Sequence, residues 1–459
     1  MTTREVLILN AVNLGDGKFS DRNGMNQITF EIPKRPAILN GKSLRMCAKF
    51  KVVNGDGTTA PQNRSQFYQD GAITNSFFID SKVGVNSVID VLSIQNLNGQ
   101  TYSTCKNYSR LCSSLIPLNE SFYGYINGGC DTFYGANGKD AQTAMKCDSE
   151  YSVGLPLYDG LLQGQPYDLE LLNGCRIVIT LNNSNYVINN NYYNDSQNTS
   201  GKTDGGAYYE LSEVLLYAEL EVPDEDGQTA MKQNKNGVID YNTYTSFYNV
   251  IQSTDHNINL NINTGRTLSV ISNLIPSSYI NNYDYNSSMT RQLLCEGATA
   301  GKLDLQVNID EITFLKSGIR VPLDYEIETE EPQDNNTITA LQNFNELSAI
   351  RNLWRLDNFL KSQKTELSNL YDVAGVVEQP RFDNIHPALI TEDHHQQFNI
   401  GVNYDDITYN GLNFKGTPLG IRIQSSVPPT KTFKPHSYFI FVKNRNTLVV
   451  QDGVINVLS

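Results

Sequence analysis

The chain has little of what catalytic and metal-binding proteins concentrate. In 459 residues tryptophan occurs once, at Trp354, and histidine five times, at His256, His386, His394, His395 and His436. The seven cysteines (Cys47, Cys105, Cys112, Cys130, Cys147, Cys175 and Cys295) are odd in number, irregular in spacing and without a CxxC pair. Zinc knuckles and dithiol redox motifs need closely spaced thiols, so neither is expected. No apolar signal region opens the chain and no apolar run is long enough to span a bilayer. These absences point to a protein made and kept in a reducing compartment and not secreted. The sequons at Asn63, Asn107 and Asn119 then read as chance in an Asn-rich chain. The net charge of −14 excludes a protein that binds nucleic acid over its whole surface.

The motifs that hint at chemistry fail on inspection. In Glu392-Asp393-His394-His395 the two histidines are adjacent, so in a strand they point to opposite faces, and the cluster reads as a polar loop. Asn40-Gly41-Lys42-Ser43 echoes the end of a phosphate-binding loop, but Pro36 stands where that loop needs glycine and strand-like segments flank it on both sides. No GxSxG elbow occurs. The neighbouring carboxylates Asp310-Glu311 and Asp405-Asp406 lie in strand-like segments and read as solvated edge acids. No catalytic residue, cofactor or metal site is expected, and the chain is not read as an enzyme.

What the chain does contain is strand and turn. Tyrosine is abundant, at 26, while Lys and Glu, the usual filler of helical surfaces, are modest. Turn dipeptides recur at Asn23-Gly24, Asn40-Gly41, Asn98-Gly99, Asn173-Gly174, Asn236-Gly237, Asn410-Gly411 and Asp452-Gly453. Strand-like runs lie between them, QITFEIP, CRIVITL, TLSVISNLI and HSYFIFVKN among them. This density of strands with few helices predicts an all-β protein of antiparallel sandwiches. One helical segment is expected at 336–363, where Ile338, Leu341, Leu347, Ile350, Trp354 and Leu356 recur three to four apart. Residues 182–207, rich in Asn, Ser and Gly, are expected as a surface insertion, and 126–150 as a second long loop. In YYELSEVLLYAELEVPDEDG (208–227) a clean alternation from Val214 to Val222 stops at Pro223 and an acidic turn. The expected division is therefore 1–223, a linker at 224–240, and 241–459.

Several stretches together resemble one family. NSFFIDSKVGVNSVIDVLSIQNLNGQTYS (75–103), VGLPLYDGLLQGQPYDLELLNGCRIVITLNNSNYV (153–187) and YYELSEVLLYAELEVP resemble the first half of double jelly-roll major capsid proteins of the tectivirus–adenovirus lineage, closest to those of polinton-like viruses and virophages. Gly84, Ser87, Ile89, Pro156, Leu157, Tyr209, Leu211 and Val214 sit at the corresponding places. GRTLSVISNLIP (265–276), SGIRVPLDYEIE (317–328), NFKGTPLGIRIQ (413–424) and the closing HSYFIFVKNRNTLVVQDGVINVLS resemble the second half.

The resemblance implies two tandem eight-stranded jelly rolls, long loops and a helical insertion in the second. It implies a structural protein whose homotrimers form pseudo-hexagonal capsomers of an icosahedral double-stranded DNA virus shell. Its partners would be itself, then a penton protein and minor capsid proteins, with no sequence-specific nucleic acid. Its place would be the virion, after synthesis in the host cytoplasm or a virus factory. Residues 1–50 carry eight Lys/Arg against four acids, and Lys34, Arg35, Lys42 and Arg45 are candidates for the shell's inner face. The alternative is a carbohydrate-binding or carbohydrate-active β-sandwich, which the surplus of Tyr and Asn suits and the single Trp does not. A trimeric viral fibre would show a repeat along its shaft, and no fixed period is present.

Overall fold

The structure is a computed structural model that describes residues 2–13, 15–22, 24–53, 76–79, 84–112, 145–146, 148–164, 166–189, 191–192, 203–204, 208–277, 308–321, 399–404, 411–426, 433 and 435–459. The expected helix at 336–363, the Glu392–His395 cluster and most of 126–150 lie outside the described residues. So do Cys130, Cys147 and Cys295.

The first half carries β1 (Thr3–Asn10), β2 (Lys18–Phe19), β3 (Gln27–Ile32), β4 (Ile38–Val53), β5 (Ser76–Ile79), β6 (Ile89–Gln95), β7 (Thr101–Cys105), β8 (Met145–Lys146), β9 (Glu150–Pro156), β10 (Tyr167–Asp168), β11 (Cys175–Leu181), β12 (Ile188–Asn189), β13 (Asn191–Tyr192), β14 (Thr203–Asp204) and β15 (Tyr208–Val222). The second carries β16 (Gly237–Ile251), β17 (Asp255–Leu260), β18 (Thr267–Pro276), β19 (Asn308–Lys316), β20 (Ile319–Arg320), β21 (Asn399–Asn403), β22 (Leu419–Ser426), β23 (His436–Gln451) and β24 (Val454–Leu458). Short helices are α1 (Gly160–Gly164), α2 (Ser184–Val187) and α3 (Glu225–Gln233), with a 3-10 turn at Gly84–Val88.

Both halves follow one plan. In the first, β1-β15-β4-β9 form one sheet and β3-β11-β6-β7 the other; in the second, β16-β23-β18-β21 and β17-β22-β19-β20 do. Numbering the eight principal strands of each half in chain order gives the orders 1-8-3-6 and 2-7-4-5 both times, all antiparallel. That pairing is the jelly roll. Among the described residues, no strand of these sheets pairs with one from the other half.

The alternation read in the sequence fixes which faces are inside. In β15, Val214, Leu216, Ala218 and Leu220 are buried while Leu215, Tyr217 and Glu219 are half-exposed. β11 alternates in the same way, with Cys175, Ile177, Ile179 and Leu181 inward. Each such aliphatic side chain contributes roughly 1.5–3 kcal/mol on burial. β23 departs from period two because both its faces are covered. Tyr438, Ile440 and Val442 join the second core, whereas Phe439 and Phe441 pack with the first.

Three local readings need correction or addition. Asn40-Gly41, expected as a hairpin turn, lies inside β4. Glycine is required there because the Leu162 carbonyl oxygen passes 1.7 Å from where a Cβ would stand. The stretch 182–207 is not all surface insertion: Asn182, Ser184, Val187 and Ile188 are buried. Asn182 donates through Nδ2 to Ser87 O (3.1 Å) and to Ser109 Oγ (3.0 Å), and its carbonyl accepts from Tyr209 Oη (2.5 Å). A polar side chain with these partners is at home in a core. Finally, the polar stretch after β15 contains α3, which Asp224 caps by accepting from Gly227 N at 3.2 Å.

Candidate assembly surfaces

Described residues of the two halves meet at a junction. β16 runs beside β7. Tyr241 Oη donates to Tyr102 O (2.8 Å), Ser246 Oγ donates to Lys106 O (2.6 Å), and Cys105 Sγ lies 3.5 Å from Ser246 Oγ. Gly160 opens α1, and the Asn242 carbonyl oxygen comes 2.0 Å from the position a Cβ would take, so a larger residue would push the halves apart. Arg110 is buried between aromatic rings, its guanidinium 5.0 Å from the Tyr186 centroid and 5.2 Å from that of Phe439. Such stacking suits a planar, weakly hydrated cation.

Asp159 is buried beside this junction. It accepts from Ser103 Oγ (2.7 Å), Leu161 N (2.9 Å) and Leu162 N (3.2 Å). Burial pushes its carboxyl above the ordinary carboxylate value, against the pull of those hydrogen bonds. Burial also pushes the thiols of Cys105 and Cys175 up to about 12, which keeps them protonated and unreactive at neutral pH. Cys47, Cys105, Cys112 and Cys175 are all free.

Two of the four basic residues singled out from sequence are held in ion pairs. Arg35 pairs bidentately with Glu5, at 3.0 and 2.7 Å, and Lys34 pairs with Glu170 at 3.3 Å. Lys42 is exposed on β4, and Arg45 is half-buried on the same strand, opposite Tyr217. Lys34 does meet two lysines that the sequence reading missed. Lys34, Lys232 and Lys235 line a cavity of about 520 Å³ with Asn98, Asn173 and Asp452, where turns of the first half meet the β23–β24 hairpin. The signal for Lys232 was the last turn of an unforeseen helix.

Other surfaces are apolar and open. β1 is an edge strand with Val6 and Ile8 exposed, and β24 is a second edge with Val454, Val457 and Leu458 exposed. Gln100 Nε2 donates to Ile455 O at 3.0 Å, tying β24 to the first half. Among the described residues no group of three or more His, Cys, Asp or Glu side chains is placed to hold a metal, and no helix is long and apolar enough to cross a membrane. The residues behind the family resemblance serve the core: Ser87, Ile89, Leu157, Tyr209, Leu211 and Val214 are buried.

The fold so built is a tandem pair of jelly rolls, and solved structures share it over its full length. No protein-family model matches the chain, and no curated protein does. The chain is similar to the protein in the quasi-atomic model of the PBCV-1 virus capsid, with a TM-score of 0.58 at 12% identity, covering 100% of this chain and 97% of that one. It is similar to the Faustovirus major capsid protein, with a TM-score of 0.57 at 9% identity and 98% and 91% coverage. A Sputnik virophage chain solved by cryo-EM gives 0.52 at 10% identity, with 99% and 88% coverage. The chain therefore has the double jelly-roll fold found in these capsid structures.

Proposed function

We propose that the protein is a major capsid protein whose homotrimers form pseudo-hexagonal capsomers of an icosahedral double-stranded DNA virus shell. One observation carries the reading: the 1-8-3-6 and 2-7-4-5 strand orders occur twice in tandem, over the whole span shared with capsid chains. Two like barrels per chain turn a threefold ring into six similar units, which tile a surface as hexagons do. In this reading residues 1–223 and 241–459 are the two barrels, joined by 224–240. The role is structural and not catalytic, and the place is the virion. A penton protein and minor capsid proteins are the further partners. Lys34, Arg35, Lys42 and Arg45 are assigned toward the inner face on the excess of basic over acidic residues in 1–50.

Mass measurement of the purified chain at low micromolar concentration tests the proposal. A trimer is expected, together with hexagonal particles in electron micrographs. A stable monomer, or a dimer about a twofold axis, overturns it and favours the sugar-binding sandwich.

A further inference from the structure

We propose that the cavity lined by Lys34, Lys232 and Lys235 binds an oligophosphate group, and that its occupant fastens the two halves to each other. The proposal does not depend on the trimeric reading above.

The cavity is built from turns that the strand order brings to one end of the first barrel. β3 ends at Ile32, beside Cys175 at the start of β11, and Arg176 lies opposite Gln95 at the end of β6. The connections at that end carry Lys34, Asn98 and Asn173. The facing wall comes from the segment between the halves and from the β23–β24 turn. Its backbone is held without help from the lysine side chains. Gly453 N donates to Lys235 O (3.0 Å), Asp452 N to Asn236 Oδ1 (2.9 Å) and Gln100 Nε2 to Ile455 O (3.0 Å). The walls are therefore set before anything binds, which spares a ligand the cost of ordering them.

The charges inside are not balanced by the chain itself. Two acids, Glu170 and Asp452, line the cavity with the three lysines. Lys34 takes up Glu170 at 3.3 Å. Among the described residues neither Lys232 nor Lys235 is in an ion pair, so Asp452 offsets at most one of them and a positive excess remains, in a chain of net charge −14. Lys232 suits the carboxyl end of α3, where a cation meets the helix dipole, but Lys235 lies beyond that helix. Like charges on one cavity repel, and an anion between them removes the repulsion. Lysine binds phosphate as a point charge. The side-chain amides of Asn98 and Asn173 have no partner among the described residues and add N–H donors. The volume of about 520 Å³ falls within the usual range of small-ligand sites, roughly 300–1,000 Å³, and admits several linked phosphates. Ammonium groups on separate walls suit a compact polyanion better than an extended acidic peptide. Because the lining comes from both sides of the junction, a ligand there touches both halves only while they are docked. Its binding then stabilises the docked chain.

The test titrates the full chain with tripolyphosphate in a calorimeter at constant ionic strength. Saturable binding of one tripolyphosphate per chain is expected, with a Tm that rises with its concentration. Lys232→Gln/Lys235→Gln should fold like the wild type, because both residues are exposed, and weaken binding at least about tenfold through the loss of charge-assisted contacts. Lys415→Gln, also exposed but outside the cavity, should leave the affinity unchanged. Asn98→Asp sets a carboxylate on the other wall and should weaken binding too; it decides the matter if the lysine variant fails to fold. The two sources of linked phosphate give different patterns, and either supports the site. For a nucleic-acid backbone, a single-stranded oligonucleotide binds more tightly than tripolyphosphate and displaces it. For a free oligophosphate, tripolyphosphate and ATP bind and the oligonucleotide displaces neither. The proposal is overturned by any of three results: no saturable binding at millimolar concentration, binding that the cavity variants leave unchanged, or a short polyglutamate that binds more tightly than tripolyphosphate.

Discussion

A carboxylate held in a core carries its own pH record, and Asp159 is placed to show it. Its carboxyl is raised above the ordinary value by burial, so the folded state holds the proton more tightly than the unfolded chain does. Its contribution to stability is therefore full below the unfolded value and is lost as pH rises through the folded one. Asp159→Asn keeps an oxygen to accept from Leu161 N and Leu162 N but never ionises. The gap in stability between variant and wild type should thus shift toward the variant as pH rises from the acid range to neutral. Urea midpoints at a series of pH values would show it, and a gap that does not change with pH would refute the assignment. Arg110 makes the complementary point for a buried cation. Arg110→Ala removes the stacking on Tyr186 and Phe439 and leaves a cavity, so a loss of about 2–5 kcal/mol is expected in denaturation. Arg110→Lys should not restore it, because the planar group is what fits between the rings. Neither residue advertised its burial in the sequence: Arg110 stands in a polar stretch, and Asp159 reads as a turn residue before Gly160.

At the scale of elements the sequence carried strand identity well and strand context poorly. The alternation from Val214 to Val222 located β15 and its stop at Pro223, because one face of that strand is dry and the other wet. The Asp452-Gly453 pair marked the β23–β24 hairpin, where both residues have positive φ. Asn40-Gly41 carries the same kind of signal but lies inside β4, since its glycine answers a close approach from α1 and not a turn. A contact between distant segments leaves no local trace. HSYFIFVKN did carry a clue, in that Tyr438 to Val442 are apolar without interruption, the mark of a strand covered on both faces. Gly41→Ala tests the β4 reading. A methyl group placed 1.7 Å from the Leu162 oxygen cannot be accommodated without moving backbone, so a loss of at least about 2–3 kcal/mol is expected. A variant as stable as wild type to urea would mean that α1 does not press on β4.

The described residues form two cores, yet the halves are not independent. Phe439, Phe441, Tyr241, Leu448 and Val450 come from the second half and are buried with the first core, while Ile440 and Val442 of the same β23 belong to the second. β23 is thus a shared wall. Separating the halves would expose those five side chains, a penalty on the order of 10 kcal/mol at roughly 1.5–3 kcal/mol each. That is comparable to the entire stability of an ordinary domain, about 5–15 kcal/mol. The hydrogen bonds from Tyr241, Ser246 and Gln100 across the junction add to it. A first half that unfolded alone would strip one face of β23, and the second core would lose its support with it. Differential scanning calorimetry of the dissociated chain should therefore show a single endotherm whose van't Hoff and calorimetric enthalpies agree. The double variant Phe439→Ala/Phe441→Ala should lower that transition and split it, because the wall then carries packing on only one side. Two well-separated transitions before any such substitution would show that the barrels fold as separate units. In that case β23 serves as a tether between them, and the junction contributes little to the stability of either half.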